Sequence, residues 1–379
     1  MKLDFFSYKF DSFDRTSFSQ EALSYSSNSL LIFFNFEEIF ITHQPKGIKN
    51  IPKKIKIKFF SFNNKTLQKI FLPIFTLSHY GLVFFFSLYI CLRYRPNVVW
   101  TETPYAGLAF VIAKKLKLCK KFVFCAGDWL LTGKKRSLLS YVNVDIIWLY
   151  SDLICSKTCD LLLSYTQNIS DLKKRHWKRK VAKLECIHFP PTLQINSKIK
   201  IVDRPGICFM GQVKEVKDFD IILTLLPELN RKYGVKLVVL GPVCNGYTEL
   251  INLTKKLGVE KYTSFYPWVN SEKIHELMEK CFCGINLITS QNSYAQNTIP
   301  GKLMHYIQML IPPIVTKENG PFADVIQGND LGLVVEPSRT EIKQAIEKLF
   351  VSQAAYQEKI TKYTANQNSK SLQEYLDLI

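Results

Sequence analysis

The sequence predicts an α/β protein built of two doubly wound, parallel-sheet domains. Three observations predict this class. Short β-branched and aromatic runs alternate with apolar-periodic helical stretches along nearly the whole chain, the order that parallel strands and crossover helices produce. The 379 residues suffice for two domains of ordinary size. Pro190-Pro191, followed by a polar and poorly periodic stretch to Arg204, separates the two series, because paired prolines disfavour helix and stiffen the chain.

In the first series, Leu30–Phe36, Ile55–Phe62 and Asn97–Thr101 read as strands. Phe71–Leu92 is very apolar and long enough to span a bilayer. It also contains Pro73, Ser78, His79, Gly81 and Ser87, so it reads better as a core helix that lays one face at a membrane interface. Tyr105–Leu118 follows as helix, Lys121–Cys125 as strand, Val144–Trp177 as helical throughout, and Val181–His188 as strand. The second series opens with a strand ending in glycine, Gly206–Gly211, then a helix over Phe219–Tyr233. Val235–Leu240 is continuously apolar, as expected of a strand buried on both faces. Tyr247–Leu257 is helix, Tyr262–Tyr266 strand, Ser271–Lys280 a helix with a serine cap, and Cys283–Ile288 strand. A helix around Lys302, a strand at Pro313–Val315, a helix at Phe322–Gln327, a strand at Gly332–Val335 and a helix at Thr340–Phe350 complete it.

Composition narrows the function classes. A hydrophobic content of 47% with 16 Gly and 16 Pro excludes a disordered or fibrous chain. The net charge is +18, and it is uneven. Residues 1–189 carry 29 Lys+Arg against 13 Asp+Glu, whereas residues 190–379 carry 21 against 19. The first half therefore expects an anionic partner, for which an anionic membrane surface is the leading candidate. A solvated lysine-rich surface is the plainer alternative. No nucleic-acid motif accompanies the charge, so nucleic acid is not expected as a partner. The ten cysteines form no Cys-x-x-Cys pair, which suits reduced thiols and no metal site.

The most informative stretch is Thr298-Ile299-Pro300-Gly301-Lys302-Leu303-Met304-His305-Tyr306, followed by the strand at Ile314-Val315. It sets a lysine just inside a helix, where unpaired backbone N–H groups and a partial positive charge already attract phosphate. The lysine adds a point charge aimed at the same anion. In the first series, Asp128 of Cys125-Ala126-Gly127-Asp128-Trp129 follows a strand, so it stands at the strand end where sites form. There it reads as a base for an acceptor hydroxyl or as a helix cap before Leu130. Glu102, at the end of the preceding strand, is the rival base. Asp14 and Arg15 lie in a polar first loop.

The Lys302 stretch resembles the donor-binding segment of GT-B glycosyltransferases, the group related to glycosyltransferase family 4. Pro300, Lys302 and Tyr306 match that pattern, Pro-x-Lys-x-x-Glu-Tyr. His305 stands where the family has a ribose-holding glutamate, and Asn297 where it has an earlier acidic residue. The resemblance extends over the second series. Gly211 ends its first strand, Gln212 holds the place of the family's arginine, and Lys217 that of a phosphate-binding lysine. Trp268 falls in the region of the donor base, and Gly320-Pro321 and Asp324 match the family's turn and nearby acid.

The resemblance implies the GT-B fold, two Rossmann-like domains facing across a cleft. Residues 1–190 would be a basic, membrane-facing acceptor domain and residues 191–353 a donor domain, with 354–379 crossing back to the first. Gly211, Gln212, Lys217, Trp268, Asn297, Lys302, His305 and Tyr306 would bind the donor. Asp128 or Glu102 would act in catalysis, and Asp14 and Arg15 would line the acceptor side. It implies transfer of a hexose from a UDP- or GDP-linked sugar to a lipid-linked or surface-polysaccharide acceptor. The reaction would run on the cytoplasmic membrane face, with no metal and no cofactor. A non-catalytic donor-binding subunit and a nucleotide-sugar epimerase of the same fold are the alternatives.

Overall fold

The computed structural model describes residues 3–10, 26, 28–34, 38–44, 54–56, 65–126, 146–177, 186–188, 204–211, 213, 216–241, 245–267, 271–288, 301–366 and 372–377. They belong to two compact units, Met1–Pro191 joined by Ser369–Ile379, and Thr192–Asn368.

The first unit holds an eight-stranded sheet in the order β4-β3-β2-β1-β5-β6-β7-β8. Its strands are β1 (Phe5–Phe10), β2 (Ser29–Phe34), β3 (Glu38–His43), β4 (Lys54–Lys56), β5 (Val98–Thr101), β6 (Lys121–Ala126), β7 (Leu161–Ser164) and β8 (Cys186–His188). All pairs are parallel except β2–β3 and β3–β4, which form an antiparallel edge. Alternating residues split the core in two. Phe6, Leu30, Val99, Phe122 and Leu162 pack under the helices α1 (Lys65–Tyr94), α2 (Pro104–Lys115) and α3 (Leu149–Thr158). Phe5, Leu31, Val98 and Val123 face the other way, against Tyr375 and Leu376 of the C-terminal helix (Leu372–Leu376). That helix is further tied down by Lys121, whose Nζ donates to the Leu376 carbonyl at 3.2 Å.

The stretch expected to be helical from Val144 to Trp177 is broken in the structure. A π-helical turn at 146–148 leads into α3, then comes β7, then α4 (Gln167–Trp177). Four residues, Leu161 to Ser164, are too few to show a period of two, and their leucines also fit a helix face. What fixes them as strand is Asp160, whose carboxylate accepts the Phe122 N–H at 2.7 Å and starts β7 beside β6. β1 and β3 were not foreseen either. β1 nonetheless lies at the centre of the sheet, between β2 and β5.

The second unit is a six-stranded, wholly parallel sheet in the order β11-β10-β9-β12-β13-β14. Its strands are β9 (Gly206–Met210), β10 (Lys236–Leu240), β11 (Thr263–Tyr266), β12 (Cys281–Asn286), β13 (Pro313–Thr316) and β14 (Leu333–Val335). Between them run α5 (Asp220–Tyr233), α6 (Asn245–Lys256), α7 (Ser271–Met278), α8 (Gly301–Gln308), α9 (Pro321–Gly328) and α10 (Arg339–Val351). A further helix, α11 (Gln353–Ala365), buries one face made of Gln353, Tyr356, Gln357 and Ile360. Gln353 exchanges two hydrogen bonds with the Arg204 backbone, 2.8 and 3.0 Å long, and so fastens the last helices to the entry of the sheet. The chain leaves β9 toward β10 on one side and returns to β12 on the other. In such sheets, ligands bind outside the strand C-termini at that reversal.

Candidate active site

The reversal point of the second unit is built around Tyr306. Its side chain is wholly buried, and its hydroxyl accepts the Met210 N–H at 2.9 Å. The same oxygen lies 3.2 Å from the Cys208 carbonyl and 3.3 Å from the Ile285 carbonyl, so its single proton is shared between β9 and β12. Burial pushes the phenol well above its ordinary pKa, which keeps that proton in place. Gly284 makes the room: a Cβ there would stand 2.5 Å from the Tyr306 ring. Tyr306 therefore positions the site from below.

Gly211 ends β9 with φ +119°, a backbone region that favours glycine. Its N–H donates to the Leu240 carbonyl at 2.7 Å, and a Cβ at Gly241 would lie 2.1 Å from the Gly211 oxygen. Two strand ends are thus pressed together with no side chain between them. Lys302, one residue into α8, runs across this opening. Its Cδ comes within 3.5 Å of where a Gly211 Cβ would be, and its Nζ lies 4.6 Å from the centre of the Phe209 ring. An ammonium beside the first turn of α8 and above an open glycine end is an arrangement that accepts phosphate.

His305 lies one turn along α8, with its ring 6.3 Å from that of His275 on α7. Burial and, to a lesser extent, His275 push its pKa down to about 3, so it is a neutral hydrogen-bonding group at physiological pH. The unfolded chain protonates this histidine near pH 6.5, whereas the folded one resists to about pH 3. Its contribution is therefore complete above pH 6.5 and is lost as the pH falls toward 3. We expect His305→Phe to flatten part of the acid limb of a stability-versus-pH curve measured by urea denaturation.

A polar network that sequence reasoning missed closes the neighbouring strand ends. The Asn319 side-chain amide donates to the carbonyls of Asn286 and Thr316 at 2.9 and 3.0 Å, and the Asn286 side chain donates to Asn319 Oδ1. Thr316 Oγ1 accepts the Ile288 N–H at 3.1 Å and donates to the Ile288 carbonyl at 2.9 Å. The network fixes the turn at Gly320 (φ +57°) and the start of α9 at Pro321. Asp324, in the first turn of α9, is exposed. The only sequence signal for all this is a pair of asparagines 33 residues apart at strand ends.

Lys217 sits on the 3₁₀ turn Val216–Phe219 that leads from β9 into α5. Gln212, Trp268, Asn297, Asp128, Asp14 and Arg15 lie outside the described residues. Glu102 is described. It follows β5 beside the reversal point of the first sheet, between β1 and β5, and its carboxylate accepts the Tyr165 hydroxyl from the end of β7. The two residues therefore flank the end of β6. Beneath them, Asp152 receives Lys173 Nζ at 2.5 Å and Trp177 Nε1 at 2.9 Å, all three buried. Among the described residues, no group of three His, Cys, Asp or Glu is placed to hold a metal.

Residues 193–367 match the family described as glycosyl transferases group 1. The matched span runs almost end to end over the second unit. The match spans the Gly211, Lys302 and Tyr306 positions just described. No curated protein matches the chain in sequence. Solved structures resemble it over both units. HepE of Anabaena, in complex with UDP, aligns with a TM-score of 0.62 at 12% identity, covering 100% of this chain and 98% of its own. Sucrose-phosphate synthase of Thermosynechococcus elongatus gives 0.62 at 10%, covering 99% and 100%. WaaG, a glycosyltransferase involved in lipopolysaccharide biosynthesis, gives 0.59 at 16%, covering 99% of both chains. At these identities the likeness is one of fold, and that fold is GT-B.

Proposed function

We propose that the protein transfers a hexose from a UDP- or GDP-linked sugar to a lipid-linked or surface-polysaccharide acceptor at the cytoplasmic face of the membrane, with no metal or cofactor. The observation that carries the donor half is Lys302, held against the glycine end of β9 within the span that matches the group 1 family. When the bond between the anomeric carbon and the phosphate oxygen breaks, the diphosphate gains negative charge. A lysine and helix N–H groups favour that state over the bound donor. The acceptor hydroxyl forms the new bond and gives its proton to a carboxylate, Asp128 or Glu102. Glu102 carries a hydroxyl donor, Tyr165, that orients it. The UDP named for HepE supports trying uridine donors first. The lipopolysaccharide role named for WaaG supports a surface-glycan acceptor.

Ligand-observed NMR with UDP-, GDP- and CMP-sugars tests the donor half. One nucleotide class is expected to bind, and Lys302→Ala is expected to weaken it by about tenfold or more, the loss of a charge-assisted phosphate contact. Equal binding by wild type and variant would remove Lys302 from the site. Binding without transfer to any lipid or glycan acceptor would favour a donor-binding subunit, and release of free nucleotide without an acceptor would favour an epimerase.

A further inference from the structure

The three helices on one face of the first sheet expose apolar rows where solvent is expected. On α1, Leu82, Phe85, Tyr89 and Leu92 fall at i, i+3, i+7 and i+10, one helix face, with Phe85 68% and Tyr89 49% exposed. The opposite face of α1 carries Val83, Ser87, Ile90 and Tyr94 into the core, so the row is not a frayed end. On α3 and the turn before it, Ile146, Tyr150 and Ile154 repeat every four residues and are also exposed. Between α1 and α3 lies α2, with Leu108 and Ile112 half-buried and Leu116, just past its end, 60% exposed.

The charges on these helices have one sign. α1 and α2 contain no Asp or Glu, and the single carboxylate of α3, Asp152, is buried. Among the described residues of these helices, the exposed cations are Arg93, Arg95, Lys115, Lys117 and Lys157, all at the C-terminal ends, with exposed Asp160, which pairs with Lys114, beside them. Those ends meet at the N-terminal ends of the central strands β1, β5, β6 and β7. The Tyr94 carbonyl accepts the Leu3 N–H, the Asn97 carbonyl accepts from Lys120 and Lys121, and Asp160 accepts from Phe122. The opposite end of the α1 row reaches Tyr80, which stacks on Tyr105 at 3.6 Å, three residues after Glu102. No helix among the described residues is long and apolar enough to cross a membrane. An amphipathic helix surface with a basic collar lies in the interface plane instead.

We propose that this α1–α2–α3 face docks on an anionic lipid leaflet, with the apolar rows in the acyl boundary and the basic collar at the headgroups. A second copy of the chain fits it poorly, since a self-complementary contact would oppose like charges. The acceptor assignment rests on the transfer reading above, whereas the docking surface does not.

Sedimentation with vesicles of phosphatidylcholine, with and without phosphatidylglycerol, tests it on the full chain. Wild type is expected to bind the anionic vesicles and to be released by high salt. Phe85→Glu with Tyr89→Glu is expected to bind at least about tenfold more weakly while keeping wild-type donor binding. Lys302→Ala is expected to bind vesicles as wild type does, which separates this proposal from the donor assignment. Hydrogen exchange of wild type on vesicles, which needs no variant, is expected to slow within residues 82–94 and 146–157. Equal binding to neutral vesicles, unchanged exchange in those segments, or a wild-type dimer that the double substitution dissolves would overturn the proposal.

Discussion

Lys173→Met is expected to destabilise the first unit by about 3–5 kcal/mol, the cost of breaking a buried ion pair from one side. Lys173 and Asp152 are both buried, and the pair bridges α4 to α3 at 2.5 Å. The ammonium also lies 3.4 Å from Ser156 Oγ and 5.0 Å from the centre of the Phe124 ring on β6. Methionine keeps the packing of the stem but leaves the Asp152 carboxylate with Trp177 Nε1 as its remaining donor from α4. The unpaired charge, not the lost contact, sets the size of the effect. A double variant, Lys173→Met with Asp152→Leu, removes both charges and should recover much of the loss, because well-packed apolar groups can replace a buried pair at little cost. Urea denaturation followed by tryptophan fluorescence reads this directly, since Trp177 shares the carboxylate. A single-variant loss under about 1 kcal/mol would mean that the pair is solvated, as exposed pairs are.

That network shows where the sequence was legible and where it was not. The alternation of strand and helix in the second unit, the glycine ending β9 and the lysine opening α8 are local patterns, and each stands where its pattern put it. β7 and the Asp152–Lys173–Trp177 cluster are not local. Asp152 and Lys173 are 21 residues apart and read separately as a helix polar residue and one of a basic run. Only when β7 inserts between α3 and α4 do they meet in the core. The same holds at the reversal point of the second sheet. Tyr306 was legible as a motif residue, but its partners, the backbone of Met210 96 residues away and the empty space at Gly284, belong to the folded sheet. The first domain resisted most at β1, because Phe5–Phe10 carries Ser7 and Lys9 among its aromatics and resembles an edge strand, yet it is central.

Gly284→Ala joins packing to function at that point. The added Cβ would stand 2.5 to 2.6 Å from three atoms of the Tyr306 ring, closer than real Cβ atoms approach. Tyr306 is wholly buried against both strands, so relief has to come from movement of α8, which carries Lys302 and His305. Overpacking of this kind costs about 1–3 kcal/mol. It should also weaken donor binding several-fold, because a phosphate contact tolerates little displacement (~1 Å is enough to matter). Tyr306→Phe separates the two effects. It keeps the ring and the place of α8 but leaves the Met210 N–H without its acceptor, a loss of about 1–3 kcal/mol in stability. Its donor affinity should therefore stay closer to wild type than that of Gly284→Ala at equal destabilisation. Combining Gly284→Ala with Tyr306→Leu, which shortens the side chain facing the new methyl, should cost less stability than the sum of the two single losses. Such coupling between neighbours is what a double-mutant cycle measures. Additive losses in that cycle would show that Gly284 and Tyr306 do not share the space assigned to them.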